Sequence, residues 1–138
     1  MFVVLLAKNL NMKTTLTKAE EQIMKILWDK KEGFVKDLLQ HFPEPKPAYN
    51  TVSTIIRILE KKGFVDHRSF GKSHQYYPLM SREQYRNDRF SSLMKDYFNN
   101  SMQQVLSQFG KSGSVNMKEA DEIIKMMEEI KLKAGNNE

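Results

Sequence analysis

Between residues 48 and 77 the chain changes its apolar period within 30 residues, and no other stretch restricts the fold so sharply. From Ala48 to Lys62 the apolar residues Val52, Ile55, Ile56 and Leu59 recur at helical spacing. Gly63 then supplies a residue suited to the left-handed backbone that closes a helix. The segments Phe64-Val65-Asp66-His67-Arg68 and Ser73-His74-Gln75-Tyr76-Tyr77 follow, rich in aromatic and β-branched residues. Ser69-Phe70-Gly71-Lys72 joins them, and a glycine between two such runs predicts a hairpin. Ahead of the helix, Pro43, Pro45 and Pro47 force a break, because proline lacks an amide donor and restricts its predecessor.

Two helices are expected before that break. Thr17 and Glu20 have the spacing of a capping box, in which each side chain bonds the other's backbone N–H. Ala19, Ile23, Ile26 and Leu27 form the expected inward stripe, flanked by Met24 and Trp28, and Asp29-Lys30-Lys31-Glu32-Gly33 ends the helix. A second, shorter helix fits Val35 to Phe42, with Val35, Leu38, Leu39 and Phe42 inward. Three helices followed by a hairpin is the order of a winged helix-turn-helix, with the second and third helices as the reading pair and the hairpin as the wing. The fold class is therefore mostly α with a small β-hairpin.

After Met80 the pattern becomes long helix. Phe90, Leu93, Met94, Tyr97, Phe98, Met102, Val105, Leu106 and Phe109 continue at spacings of three and four, until Gly110-Lys111-Ser112-Gly113-Ser114 interrupts. Met117, Ala120, Ile123, Ile124, Met127 and Ile130 mark a last helix. Amphipathic helices of this size bury too little surface alone, so a second copy of the same segment is the expected partner, with folding back on the N-terminal part as the alternative. The dimerisation residues read from this pattern are Phe90, Leu93, Met94, Tyr97, Phe98, Val105, Leu106, Phe109, Ile123, Ile124 and Met127. The organisation expected is a winged helix at 12–80 and a helical dimerisation region at 81–138. Residues 1–11, with the apolar run Phe2 to Ala7, form an N-terminal extension, and Met12 is the expected natural start.

Charge locates the function. The 138-residue chain carries 22 Lys plus Arg against 17 Asp plus Glu. Residues 46–80 hold Lys46, Arg57, Lys61, Lys62, Arg68 and Lys72 against Glu60 and Asp66, a local net charge of +4, while residues 81–138 are balanced. A confined basic segment suits a phosphate-lined partner; a solvated basic face is the alternative on charge alone. On the outer face of the third helix, Tyr49, Asn50, Ser53, Thr54 and Arg57 are placed to reach base edges. Lys46, Thr51, Lys61, Lys62, Arg68, Lys72 and Ser73 are placed to hold the backbone.

Catalytic signals are missing: there is no nucleophile elbow, phosphate-cradling loop or HExxH, so no catalytic residue is assigned. With zero cysteine, thiolate chemistry is excluded, and a reducing cytoplasm suits the chain. His67 and His74 can face each other across the hairpin, but two histidines without cysteine or a nearby acidic pair are a weak zinc signal, so no metal or cofactor is assigned. Two rival readings are a ligand-gated winged-helix regulator and a winged-helix protein-interaction module that never touches DNA.

Leu16-Thr17-Lys18-Ala19-Glu20, Ile23-Met24-Lys25-Ile26-Leu27-Trp28, Asn50-Thr51-Val52-Ser53-Thr54 and Leu59-Glu60-Lys61-Lys62-Gly63-Phe64-Val65 resemble the BlaI/MecI family of penicillinase repressors, as do His67 and Tyr76-Tyr77 around the wing. The resemblance spans residues 16 to about 131 and is specific, since several motifs fall in order. It implies a dimeric winged-helix repressor on palindromic operators with TACA-type half-sites and a C-terminal helical dimerisation region. It also implies a membrane-bound sensor-transducer metalloprotease that triggers cleavage in that region, where the family's Asn–Phe bond corresponds best to Gln108-Phe109. The family's arginine before the leucine matching Leu59 is Ile58 here, and the arginine stands one place earlier at Arg57. Without cysteine, the chain lacks the C-terminal cluster of the copper-responsive branch.

Overall fold

Helix α1 (Lys18–Lys30) starts where the sequence places its cap. The Thr17 N–H donates to Glu20 Oε1 at 2.9 Å, and the Glu20 N–H donates to Thr17 Oγ1 at 3.2 Å. The computed structural model describes residues 15–136, so the 1–11 extension lies outside the described residues. Helix α2 (Val35–Leu39) is shorter than the Val35–Phe42 expected; the chain leaves it through turns, yet Phe42 still buries its ring. Helix α3 (Tyr49–Lys61) lies between Ala48 and Lys62 as caps, and Gly63 takes φ 86°. Strands β1 (Val65–Phe70) and β2 (Ser73–Pro78) pair antiparallel, with Phe70 opposite Ser73. The hairpin is longer than expected, because Gly71 at φ 63° turns the chain within two residues and leaves Ser69 and Phe70 free to pair.

The core beneath this frame is built from Ile23, Met24 and Leu27 of α1, Leu38 of α2, Val52, Ile56 and Leu59 of α3, and Phe64, Val65, Tyr76, Met80 and Tyr85 beyond. One expected core position is wrong: Ala19 is exposed, and Glu20 takes its place in the interior. Glu20 is only 3% exposed, and both its oxygens receive the Lys62 ammonium at 2.7 Å. That pair ties the first turn of α1 to the end of α3. Burial by itself would raise the Glu20 carboxyl; the bonds from Lys62 and Thr17 outweigh it and hold the group below its ordinary value.

Gly33 does more than end α1, which already turns out at Lys31 with φ 75°. Its N–H donates to the Tyr76 carbonyl at 2.9 Å, and its carbonyl accepts from the Tyr76 N–H at 2.8 Å. This bridge adds a third short rung to the outer side of β2 and hangs the wing on the loop before α2. A Cβ at Gly33 would lie 3.1 Å from Leu38 Cδ2, a tight approach that Leu38 would have to yield to by a few tenths of an ångström. Two long-range bonds close the same unit: Trp28 Nε1 donates to the Met80 carbonyl at 2.8 Å, and the Leu16 N–H donates to the Tyr85 hydroxyl at 3.1 Å.

The chain forms two compact units, the first running to Phe90 and the second starting at Ser91. The dividing point falls inside helix α4 (Arg82–Phe98), whose first turns belong to the winged helix through Tyr85. The second unit holds the rest of α4, then α5 (Met102–Ser112) and α6 (Met117–Asn136). The long helix expected through Phe109 is broken at Asn99 and Asn100, with φ 51° and 59°. The Asn100 N–H bonds back to the Met94 carbonyl at 2.8 Å, and Ser101 caps α5 through the Gln104 N–H. Asparagine tolerates this left-handed backbone better than other side chains. Gly113, at φ 69°, ends α5, so Gly110 to Ser112 remain helical rather than interrupting the pattern.

Two stability outcomes follow. Lys62→Met, which strands the buried Glu20 carboxylate, costs about 3 kcal/mol at pH 7, and Glu20→Gln costs less, about 1–2 kcal/mol, because the amide still caps Thr17. A depressed folded pKa stabilises above the unfolded value and is lost as pH falls through the folded one. Urea melts from pH 7 to pH 3 will therefore show the wild-type losing more stability than Glu20→Gln, and equal losses would remove this role for the pair. Gly33→Val costs about 1–3 kcal/mol in the same melts, by overpacking against Leu38.

Candidate nucleic-acid interface

Helix α3 keeps Val52, Ile56 and Leu59 in the core, and so turns Asn50, Thr51, Thr54, Arg57 and Lys61 to solvent. The spacing that builds the stripe dictates this, since residues three and four apart share a helix face. Tyr49 and Ser53 lie on the flank towards the wing. Thr54 is constrained further: its hydroxyl donates to the Asn50 carbonyl at 2.9 Å, one turn back. The donor is used inside the helix, so Thr54 offers a base edge its methyl group and an acceptor lone pair. Among the described residues, no hydrogen bond or ion pair engages the side chains of Asn50, Lys46, Lys61 or Lys72.

The hairpin alternates faces. His67, Tyr76 and His74 share the face turned to α3, while Arg68, Gln75 and Tyr77 lie on the other. Tyr76 is buried beside Arg57 and Glu60 of α3. Burial, then the Glu60 carboxylate, raises its phenol above the ordinary tyrosine range, while the Arg57 guanidinium and its hydrogen bond act in the opposite direction. Arg57 thus lies within reach of the Tyr76 hydroxyl. Between α2, α3 and the wing lies an open cleft of about 600 Å³, lined among others by Lys36, Tyr49, Ser53, Arg57, Lys72 and Tyr76. Three cations against the one carboxylate of Asp37, with two tyrosines, favour anionic, planar matter in this concavity, the chemistry of a nucleic-acid backbone and its bases.

The structure gathers Tyr49, Ser53, Arg57, Lys72 and Ser73 around that cleft, with Asn50, Thr51, Thr54 and Lys61 on the adjoining outer face of α3. Lys46 is exposed just ahead of that helix. Two expected phosphate ligands also have partners on the protein. Lys62 is bound to Glu20, and Arg68 pairs with Glu32 at 3.1 Å and stacks 4.2 Å over the Tyr77 ring, on the hairpin face away from α3. Lys36 was missed by the sequence reading; only the close packing of α2 on the wing brings it to the cleft, and its charge was its one visible signal. Gly33, which hangs the wing, was read simply as a helix end.

Of the residues expected to pair with a second chain, Met94 and Val105 are already buried within the single chain, and Phe98 and Ile123 are half-buried. Phe90, Leu93, Tyr97, Leu106, Phe109, Ile124 and Met127 are exposed, Tyr97 at 76%. Met102, Met117, Met126, Ile130 and Leu132 extend that exposed apolar surface, and α6 has no buried residue at all.

Comparison with known proteins places these features in a family. The family described as penicillinase repressor matches residues 16–129. The methicillin resistance regulatory protein MecI of Staphylococcus aureus (strain N315) is 23% identical over 109 residues, 78% of this chain and 89% of that protein. The penicillinase repressor of Bacillus licheniformis is 20% identical over 117 residues, 84% of this chain and 91% of its own length. Among solved structures, the DNA-binding domain of the repressor BlaI matches with TM-score 0.46 and 22% identity, covering 51% of this chain and 88% of that domain. BpsR of Bordetella bronchiseptica, a protein whose DNA binding is regulated by 6-hydroxynicotinic acid, matches with TM-score 0.43 and 16% identity over 86% of this chain and 77% of its own.

Proposed function

The chain belongs to the penicillinase repressor family, and from that premise we propose that it is a homodimeric, cytoplasmic repressor that reads a palindromic double-stranded DNA operator through α3 and the wing. Members of this family are DNA-binding transcriptional repressors, not enzymes. The observation that carries the reading is the outer face of α3. Asn50, Thr54 and Lys61 stand in solvent, the side chains of Asn50 and Lys61 without protein partners among the described residues, beside an arginine within reach of a buried tyrosine. Tyr49, Asn50, Ser53, Thr54 and Arg57 read bases; Lys46, Thr51, Lys61, Lys72 and Ser73 hold phosphates; Lys62 and Arg68 keep their acidic partners.

Two such helices, one per protomer, enter successive major grooves about 34 Å apart. The exposed apolar side chains of α5 and α6 support the dimer, since Leu106, Phe109, Ile124, Met127 and Ile130 are each more than 40% exposed in the single chain. No described helix is long and apolar enough to cross a membrane. A membrane sensor-transducer metalloprotease remains the partner that the resemblance implies, and Gln108-Phe109 its proposed cleavage point. That bond lies inside α5, so cleavage needs the helix to unwind locally before the backbone fits a protease cleft.

The test is fluorescence anisotropy on a duplex with two inverted TACA half-sites, against a scrambled duplex, over a salt series. The logarithm of affinity will fall with the logarithm of salt at a slope steeper than about −4; a flat line would sink the DNA reading. Asn50→Ala will narrow the gap between operator and scrambled duplex, whereas Lys72→Ala will weaken both alike. Thr54→Val, which keeps the methyl, will preserve preference better than Thr54→Ser, which does not. Placing glutamate at both Ile124 and Met127 will yield monomers by analytical ultracentrifugation; a persisting dimer would move the interface elsewhere.

A further inference from the structure

His67 and His74 form a weak metal signal in sequence because no acidic pair accompanies them, and folding supplies that pair. Asp66 is the neighbour of His67 in β1, and Glu60 arrives from the last turn of α3. His67 Nδ1 lies 2.5 Å from Glu60 Oε2 and 4.0 Å from Asp66 Oδ1, and one donor atom from each of the three falls within 4.8 Å of the others. A tetrahedral zinc with bonds of about 2.0–2.2 Å wants its ligand atoms about 3.4 Å apart. The two separations straddle that spacing, and Asp66 Oδ1 is held beside His67 by the His67 N–H, which donates to it at 2.8 Å.

The surroundings favour the ion. The His74 ring stacks on His67 with centroids 4.1 Å apart and planes 5° from parallel, which restricts rotation of His67 and keeps its Nδ1 edge towards the carboxylates. The three side chains are 27%, 32% and 53% exposed, open enough for an ion to enter and for water to complete its coordination. Two carboxylates beside one imidazole present negative charge that a divalent cation cancels. One imidazole with two carboxylates is a donor set for zinc and its transition-metal neighbours.

We propose that Glu60, Asp66 and His67 bind one divalent transition-metal ion of the zinc type, tying the end of α3 to the first strand of the wing. The ion does two things at once. It fixes the wing relative to the helix, and it removes two negative charges from a window whose net charge is only +4. Duplex binding is therefore tighter with the ion bound; that consequence rests on the DNA-binding reading, whereas the site itself does not.

Zinc chloride titrated by calorimetry into the full, metal-free chain, without DNA, tests the site. One saturable site per chain is expected, with a cobalt(II) absorption band when cobalt replaces zinc. Glu60→Gln and His67→Gln should each weaken it by at least about tenfold, while His41→Gln leaves it unchanged. Both altered side chains are partly exposed, and circular dichroism confirms that the variants remain folded. No saturable binding, or binding indifferent to both variants, overturns the proposal. Anisotropy with the inverted-repeat duplex, in zinc and in EDTA, then tests the consequence. Tightening in zinc that disappears in Glu60→Gln supports it; zinc bound at the site without tightening overturns the coupling; and no duplex binding in either condition overturns the DNA reading while leaving the calorimetric result intact.

Discussion

Tyr76 is held from two sides, and the relation of wing to helix depends on how it is held. Its N–H and carbonyl are both exchanged with Gly33, so β2 cannot slide along the loop before α2 without breaking two hydrogen bonds. Its ring is in the core, and its hydroxyl sits among Arg57 and Glu60 of α3. A hairpin of two strands is marginal in isolation, so a wing needs some anchor of this sort. Here one residue ties the hairpin both to the loop before α2 and to α3. Gly33 is the complement: a side chain there would press on Leu38.

The ionic contacts in this unit separate into those that build it and those free to meet a partner. Glu20 and Lys62 are spent on joining α1 to α3, and Arg68 on Glu32 and Tyr77 behind the wing. Cations without such partners among the described residues, Lys46, Lys61 and Lys72, lie ahead of α3, at its end and at the wing tip. A buried pair contributes little net stability against an apolar replacement, but it punishes misplacement severely, because either charge left alone inside is costly. The Glu20–Lys62 pair therefore acts on where α3 stops more than on how stable the fold is.

Much of this was legible in sequence, for reasons that differ by element. The capping box at Thr17 and Glu20, the stripe of α3 and the Gly63 stop are local, and local chemistry decided them. Ala19 was misplaced because an alanine looks more interior than a glutamate, and only Lys62, 42 residues away, makes Glu20 acceptable inside. The break at Asn99 and Asn100 was missed because apolar periodicity runs on across it, while the left-handed backbone there is a property of asparagine that a hydrophobic pattern does not register. At the site, the outward face of α3 was readable from the inward one. The commitments of Lys62 and Arg68, and the meeting of Glu60 with His67, were not, since each joins segments that only tertiary structure brings together.

The division of charge between the two units bears on how such a repressor would be switched off. A winged helix that neutralises a few phosphates per half-site binds one half-site weakly, and the second half-site adds an intramolecular contact at millimolar effective concentration, worth about 10²–10⁴ in affinity. On the dimer reading, that gain is delivered wholly by the second unit, whose six basic and seven acidic residues add nothing to the attraction for DNA. Its apolar faces carry the association, and exposed Leu106 and Phe109 of α5 lie just before and at the proposed cleavage bond. A cut there would leave every residue of the reading surface in place and still cost most of the affinity. On that reading, control by severing the dimer requires no change at the outer face of α3, which leaves that face to be shaped by the operator alone.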